Sequence, residues 1–114
     1  MAIKYLKDSI IFSEKSFTKR VIYSTEDGLC FVLNFKPGQS LPVHKHENST
    51  IVVTALAGEG KIKINNDESK LTEGAIILAK GQDEFSIPSV TKDLSVQVTI
   101  IPNPTDEMYS KNFG

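Results

Sequence analysis

The amino-acid sequence predicts an all-β domain, either a β-sandwich or a small barrel, with little or no helix. Short apolar and β-branched runs follow one another along the chain, and turn-forming residues separate them. No stretch combines helical periodicity with capping residues. The length of 114 residues is close to the commonest domain size, so we expect a single domain over residues 1–114.

Three strands are predicted in the first third of the chain. Ile10–Phe12 is a short apolar run, and Phe17–Tyr23 is mixed but contains three β-branched residues. In Leu29–Phe35 the odd-numbered residues share one face and the even-numbered residues share the other. Glu-Asp-Gly at 26–28 and Lys-Pro-Gly at 36–38 are turn sequences, so they bound this third strand.

Four more strands are predicted in the remainder. Ile51–Leu56 and Ala75–Ala79 are nearly continuous apolar runs, typical of strands covered on both faces. Lys61–Ile64 alternates lysine with isoleucine, which places the lysines in water. In Leu94–Ile101 the even-numbered residues are all apolar and alternate with Ser, Gln, Thr and Ile. The predicted turns between them are Gly-Glu-Gly at 58–60, Asn-Asn-Asp-Glu at 65–68 and Lys-Gly-Gln-Asp at 80–83.

Composition excludes several kinds of partner. The 13 Lys and Arg residues against 14 Asp and Glu leave a net charge of −1, so nothing favours nucleic acid or an anionic membrane. The longest apolar runs are far too short to span a bilayer, and no secretory signal is visible, so we expect a cytoplasmic protein. The one cysteine, Cys30, excludes an intrachain disulfide, and we expect it to be a small buried or half-buried residue rather than a nucleophile.

The C-terminal segment 102–114 is polar and contains two prolines. Two interpretations stay open: the segment is loose, or it lies over a neighbouring surface through Met108, Tyr109 and Phe113. Its terminal position favours the first interpretation.

The two histidines, His44 and His46, are candidate site residues. Residues two apart on an extended strand point to the same face, so both imidazoles could bind one divalent metal. The alternative is two histidines with surface or core roles, and an isolated His-x-His is weak evidence against it.

The surrounding spacing adds to this signal. Gly38 is followed after five residues by His44, then His46, then after four residues Ile51, and after six more Gly58. This stretch, 38–58, resembles the first motif of the cupin superfamily: Gly, five residues, His-x-His, three or four residues, Glu, six residues, Gly.

A second stretch, 74–89, continues the resemblance. Gly74 is followed by Lys80, Gln82, Phe85 and Ser89 at the spacing of the second cupin motif, which is Gly, five residues, Pro-x-Gly, two residues, His, three residues, Asn. Both spacings agree, so the resemblance implies the cupin fold, a double-stranded β-helix or RmlC-like jelly-roll barrel.

The resemblance also implies a metal site, and the sequence departs from it. Cupins with a full site hold a metal through His, His and Glu of motif one and His of motif two. Ile51 stands at the Glu position and Phe85 at the second-motif His position, so only His44 and His46 carry over. Two imidazoles do not make a tight, selective site.

A non-standard third ligand would come from the loop beside Phe85. Glu84, or Asp83 before it, would reach the histidines after a small shift of that loop. Glu47 faces away from the pair in a regular strand. A completed site would suit iron, manganese, nickel or zinc.

The expected pocket contains His44, His46, Ile51 and Phe85, and Gln97 could either reach it as a hydrogen-bonding group or lie at the surface. Apolar walls with a few polar groups are usual in small-molecule sites.

The first functional hypothesis is therefore a small-molecule binding cupin with an incomplete or absent metal site. The second is a metal-dependent oxygenase or isomerase that uses the histidine pair and a non-standard third ligand. The third is metal-free epimerisation or isomerisation of a sugar, with a histidine as general base. Barrels of this kind often pair their edges, so we expect a homodimer whose interface involves the N-terminal third and the C-terminal tail.

Overall fold

The computed structural model describes residues 2–46, 48–104 and 111–114, which form seven antiparallel strands and one short 3-10 helix. The helix spans Leu6–Ser9, and the strands are β1 (Thr18–Ser24), β2 (Leu29–Phe35), β3 (Leu41–His44), β4 (Thr50–Ile64), β5 (Asp67–Thr72), β6 (Ile76–Lys80) and β7 (Phe85–Ile101). No helix in these ranges has the length and apolar character needed to cross a bilayer. The all-β prediction is confirmed.

The two longest strands, β4 and β7, connect all the others. The strand order is β1-β2-β7-β4-β5, while β3 also pairs with β7 and β6 also pairs with β4. The second half of β7, Leu94–Ile101, pairs with β2 and with the start of β4. The first half of β7 pairs with β3 and with the end of β4. The two halves of each long strand therefore belong to different layers of the barrel. This arrangement is the double-stranded β-helix that the motifs predicted.

Gly58 lies where β4 changes from one layer to the other. Its φ of +94° is a conformation that favours glycine, and an added Cβ would lie 1.9 Å from the carbonyl oxygen of Asp93. The predicted turn at 58–60 is wrong, because β4 passes through these residues without reversing. Glycine serves here to let β7 approach closely.

The core fills the space between the layers. Its buried apolar residues come from β2, β4 and β7 above all, with Leu41, Leu71 and Ala79 from the shorter strands. The prediction that Ala75–Ala79 is covered on both faces is wrong, since Ile76 and Leu78 of β6 are 70% and 69% exposed.

Two further differences from the sequence prediction have simple causes. Strand β5 was not predicted because only one of its six residues, Leu71, is buried, which leaves no apolar alternation. The apolar run Ile10–Phe12 is not a strand. Side chains hold the segment before β1 instead: the Asn34 amide donates to the Ser9 carbonyl, and the Thr18 hydroxyl donates to the Ile11 carbonyl.

Candidate functional site

A cavity of about 420 Å³ lies between β1, β2, β3 and β7, and residues 111–113 border it. Most of its lining is apolar. The lining residues are Phe17, Lys19, Phe31, Leu33, Leu41, His44, His46, Phe85, Val98, Lys111, Asn112 and Phe113. Both histidines and Phe85, which the sequence analysis named as candidate pocket residues, are among them.

The two histidines reach the cavity by different routes. His44 is the last residue of β3 and pairs with Phe85 of β7. His46 lies beyond the strand, where its backbone N–H donates to the Gly81 carbonyl at 3.0 Å and its carbonyl accepts from the Ser49 N–H at 3.1 Å. The prediction of a His-x-His pair on one regular strand is thus corrected, although both rings face the same cavity.

Gly81 explains why the His46 turn lies where it does. A Cβ at Gly81 would lie 2.0 Å from the His46 carbonyl oxygen and 2.6 Å from that of Ser49. Only glycine allows this approach of two backbone segments. The predicted turn sequence at 80–83 therefore also positions a site residue.

The rings of His44, His46 and Phe85 form a compact triangle. Their centroids are 5.8 Å apart for the two histidines, 5.5 Å for His44 and Phe85, and 5.7 Å for His46 and Phe85. The phenyl ring thus occupies the neighbourhood of the imidazoles from which a second-motif histidine would ligate a shared metal.

Burial controls the ionisation of two cavity groups. Desolvation lowers the pKa of His46 to about 4, and the charges of His44 and Lys19 add to the effect. Desolvation also lowers the pKa of Lys19 to about 8. Only 9% of Lys19 is exposed, and its Nζ lies 4.4 Å from the centroid of the Phe31 ring. At neutral pH His46 is therefore uncharged, while the Lys19 amine keeps its proton.

Sequence reasoning missed Lys19. It lies on β1 two residues after Phe17, and both residues line the cavity. Strand alternation puts Lys19 on the same face as Phe17, because residues two apart share a face. The sequence does not show that this face is buried, so Lys19 looked like any solvent-facing lysine.

The described end of the C-terminal segment packs on β1. The backbone groups of Phe113 and Lys19 exchange hydrogen bonds, the Asn112 side chain accepts from the Val21 N–H at 2.6 Å, and the Phe113 ring lies 5.1 Å from that of Phe17. For residues 111–114 the interpretation favoured from the sequence, a loose tail, is wrong. Met108 and Tyr109, named with Phe113 in the other interpretation, lie outside the described residues.

The structure does not place Glu84 as a metal ligand. Its side chain is exposed, with Oε1 3.9 Å from Lys45 Nζ, and its backbone exchanges hydrogen bonds with Asn65. Asp83 accepts hydrogen bonds from the Asn65 side chain and the Lys80 N–H. These contacts hold the loop away from the cavity.

Two other predicted pocket residues also lie elsewhere. Ile51 is fully buried in the core, opposite Ala79 and Ile100, and does not line the cavity. Gln97 points to the other face of β7, where its amide Nε2 lies 3.2 Å from Cys30 Sγ. Strand alternation causes this, because Val96 and Val98 take the inward positions.

A divalent metal therefore does not fit the described donor set. No three His, Cys, Asp or Glu side chains in the described ranges converge on one point. Glu47, expected to face away, lies outside these ranges. The two imidazoles alone leave a weak site.

Comparison with solved structures supports this fold. The protein TT1209 from Thermus thermophilus is 27% identical, with a TM-score of 0.84 over 91% of this chain and 100% of that one. An RmlC-like cupin protein from Desulfovibrio desulfuricans is 28% identical, with a TM-score of 0.80 over 90% and 97%. KdgF from a Halomonas species, 18% identical, shares the fold with a TM-score of 0.75 over 83% and 86%.

No curated protein matches the chain significantly. The family comparison, in contrast, matches the cupin domain over residues 31–101, a stretch that contains both motifs and most of the barrel. The chain therefore belongs to the cupin family.

Proposed function

We propose that this chain binds a small organic molecule in the barrel cavity without a metal ion between His44 and His46. The observation that carries this proposal is the ring triangle with Phe85, which puts an apolar side chain beside the two imidazoles. The cavity volume of about 420 Å³ lies within the usual range for small-molecule sites. The lining, mainly apolar with a few polar groups, suits a ligand with an apolar body.

The neutral state of His46 supports the same function. A pKa of about 4 keeps the imidazole uncharged at neutral pH, so it can donate or accept a hydrogen bond to a bound molecule. A few hydrogen-bonding groups on an apolar wall orient a ligand rather than attracting it from a distance. The histidine pair thus contributes specificity in this proposal.

The experiment measures metal content and ligand binding on untagged protein. After dialysis, mass spectrometry is expected to find far less than one transition metal per chain, while calorimetry finds 1:1 binding of the neutral probe 4-phenylbutanamide. Stoichiometric metal that disappears in His44→Ala would overturn the proposal and favour the metal-dependent enzyme instead. Absence of probe binding would also contradict it.

A gain-of-function variant sharpens this test. Phe85→His places a third imidazole beside the existing two, and we expect its affinity for Ni²⁺ to rise at least about tenfold over the unsubstituted chain. Phe113→His is the matched control, since it adds an imidazole to the same cavity at the Phe17 contact. Equal gains in both variants would argue against the assigned geometry.

The homodimer stays a prediction. Exposed apolar residues occur in the N-terminal region, at Ile3 and Tyr5, and on β6, at Ile76 and Leu78. Exposed apolar side chains, and those on an unpaired strand edge in particular, favour association between chains. Light scattering after size-exclusion chromatography is expected to give twice the mass of one chain, and a monomeric mass would contradict the prediction.

A further inference from the structure

One outward surface of the barrel carries uncharged side chains across five strands. Residues that pair across neighbouring antiparallel strands point to the same face of a sheet. On β2, β4, β6 and β7 the outward residues alternate with residues of the core. We call this surface the outer face, and its central row, from β6 through β4, β7 and β2 to β1, consists of Leu78, Val52, Thr99, Cys30 and Tyr23.

The next row extends the outer face and adds apolar area. Ile76, Thr54 and Gln97 pair across β6, β4 and β7. Ile101, at the end of β7 and on the same face as Gln97, is half exposed, while Ile76 and Leu78 are mostly exposed. The inward side chain between these two, Ile77, packs against the core, so β6 is apolar on both faces. Strands of that kind are typical of sheets that are covered on both sides.

The far end of β4 shows how this chain builds a sheet face that water covers. There the outward residues Lys61 and Lys63 pair with Lys70 and Glu68 of β5, and all four are exposed. Lys61 also forms an ion pair with Glu68. The outer face, whose two rows have uncharged residues at the corresponding positions on β4 and β6, therefore differs in kind from the solvated face.

The chain itself covers one end of the outer face. Val32 pairs with Gln97 and so points outward, yet it is fully buried. Tyr5 and Leu6 of the N-terminal segment lie beside Cys30 and Gln97, at the same end. Apolar packing on this face is thus already present within one chain. In the part of the chain that the structure describes, no segment continues the cover over β6.

A second copy of the chain suits the uncovered end. A twofold interface brings a surface against itself, so charges of one sign at its centre would repel. The charged members of this face, Lys80 on β6 and Arg20 on β1, lie at opposite margins. The exposed parts of the outer face, with Tyr5 and Leu6 beside it, amount to roughly 800 Å², which is what each partner contributes to an interface of standard size.

We propose that two copies of this chain associate through their outer faces, with the sheet of one protomer packed on the sheet of its partner. This inference rests on the homodimer predicted above and names its surface. Two sheets packed face to face lie about 10 Å apart with their side chains interdigitated, which would bury Ile76 and Leu78. The residues of both rows lie outside the cavity lining, so association and ligand binding are independent.

The test places a carboxylate on the outer face. Leu78→Glu would bury one unpaired charge per protomer in the interface. Sedimentation velocity is expected to show a dimer for the unsubstituted chain and a monomer for the variant at the same concentration, with the dissociation constant raised at least about a hundredfold. Val43→Glu is the matched control, because Val43 is also an exposed aliphatic residue but lies on β3, outside the outer face. That variant is expected to stay dimeric.

The outcomes separate this inference from the predictions on which it builds. A dimer that persists in Leu78→Glu would overturn the inference and leave the homodimer standing, whereas a monomeric unsubstituted chain would overturn both. Equal dissociation in Leu78→Glu and Val43→Glu would also overturn the inference, because the effect would not belong to this face. Binding of 4-phenylbutanamide is expected to be the same in Leu78→Glu as in the unsubstituted chain, so a failure of the cavity proposal is seen separately.

A measurement on the unsubstituted chain keeps the inference testable if Leu78→Glu does not fold. In a mixture of isotope-labelled and unlabelled chains, isotope-filtered NMR detects only contacts between protomers. We expect such contacts at the methyl groups of Ile76 and Leu78. Contacts between protomers that are confined to other residues would overturn the inference.

Discussion

Two of the regions that the structure describes bury polar side chains in opposite ways. Asn34 lies across β1, β2 and β7, where its amide donates to Ser9 and Thr18 and its carbonyl accepts from the Ser95 hydroxyl at 2.7 Å. The cavity buries Lys19 and His46 among apolar rings, and desolvation opposes the charged form of each. The first region buries only neutral groups, whereas the second buries groups that titrate.

The comparison separates structural from functional burial. Neutral polar groups whose hydrogen bonds are made by neighbouring strands stabilise the arrangement that makes those bonds. A buried amine and imidazole reduce stability in the pH range in which each would otherwise be charged. Proteins tolerate such groups where they serve a site, so the shifted pKa values point to the cavity and not to the Asn34 cluster.

The largest expected effect is on the structural region. Asn34→Ala removes the shared partner of Ser9, Thr18 and Ser95, and we expect a loss of about 3 kcal/mol in the free energy of unfolding. Urea denaturation measures it, with the exposed Asn66→Ala as control. A change below about 1 kcal/mol would mean that the cluster is not structural.

The next effect connects the fold to the cavity. Gly81→Ala introduces a Cβ against the His46 carbonyl oxygen, so we expect a loss of about 2 kcal/mol together with weaker binding of 4-phenylbutanamide. In the matched Gly74→Ala, the Cβ meets open space at a φ of +87°. That variant is expected to lose about 1 kcal/mol from backbone strain and to bind the probe normally. Equal probe affinities in both variants would show that the close approach at Gly81 does not position His46 for binding.

A pH effect of similar or smaller size tests the cavity region. The unfolded His46 takes up its proton near pH 6.5 and the folded one near pH 4, so between these values the unfolded state binds more protons. Stability therefore falls as the pH is lowered through this window, by on the order of 2 kcal/mol. In His46→Met we expect most of this slope to disappear. An unchanged slope, measured by urea denaturation at several pH values, would show that His46 is not desolvated.

The smallest effect concerns the outer face. Gln97→Ala removes a side chain that contacts Cys30 on the side of β7 away from the cavity, so we expect a stability change of about 0.5 kcal/mol or less. Affinity for 4-phenylbutanamide is expected to stay the same. A large loss of affinity would show that Gln97 contributes to the cavity, which is one of the two alternatives left open by the sequence.

Local patterns predicted much of the fold. Residues 29–35 form a strand with the bounds that the alternation indicated, and the two motif spacings led to the double-stranded β-helix. The prediction was weakest where an element depends on its partner. Strand β5 is polar and forms by pairing with β4, and the Gly-Glu-Gly of β4 continues as strand because β7 lies against it.

The sequence by itself determined the all-β class, the family resemblance and the departure of Ile51 and Phe85 from the metal motif, because residue type and spacing are local properties. Only the tertiary structure decided which side chains share the cavity. It directed Glu84 and Gln97 away, kept Ile51 in the core and placed Lys19 in the cavity that His46 also lines. These placements depend on how β1, β3 and β7 meet across the barrel, and contacts between residues distant in the chain leave no signal in one sequence.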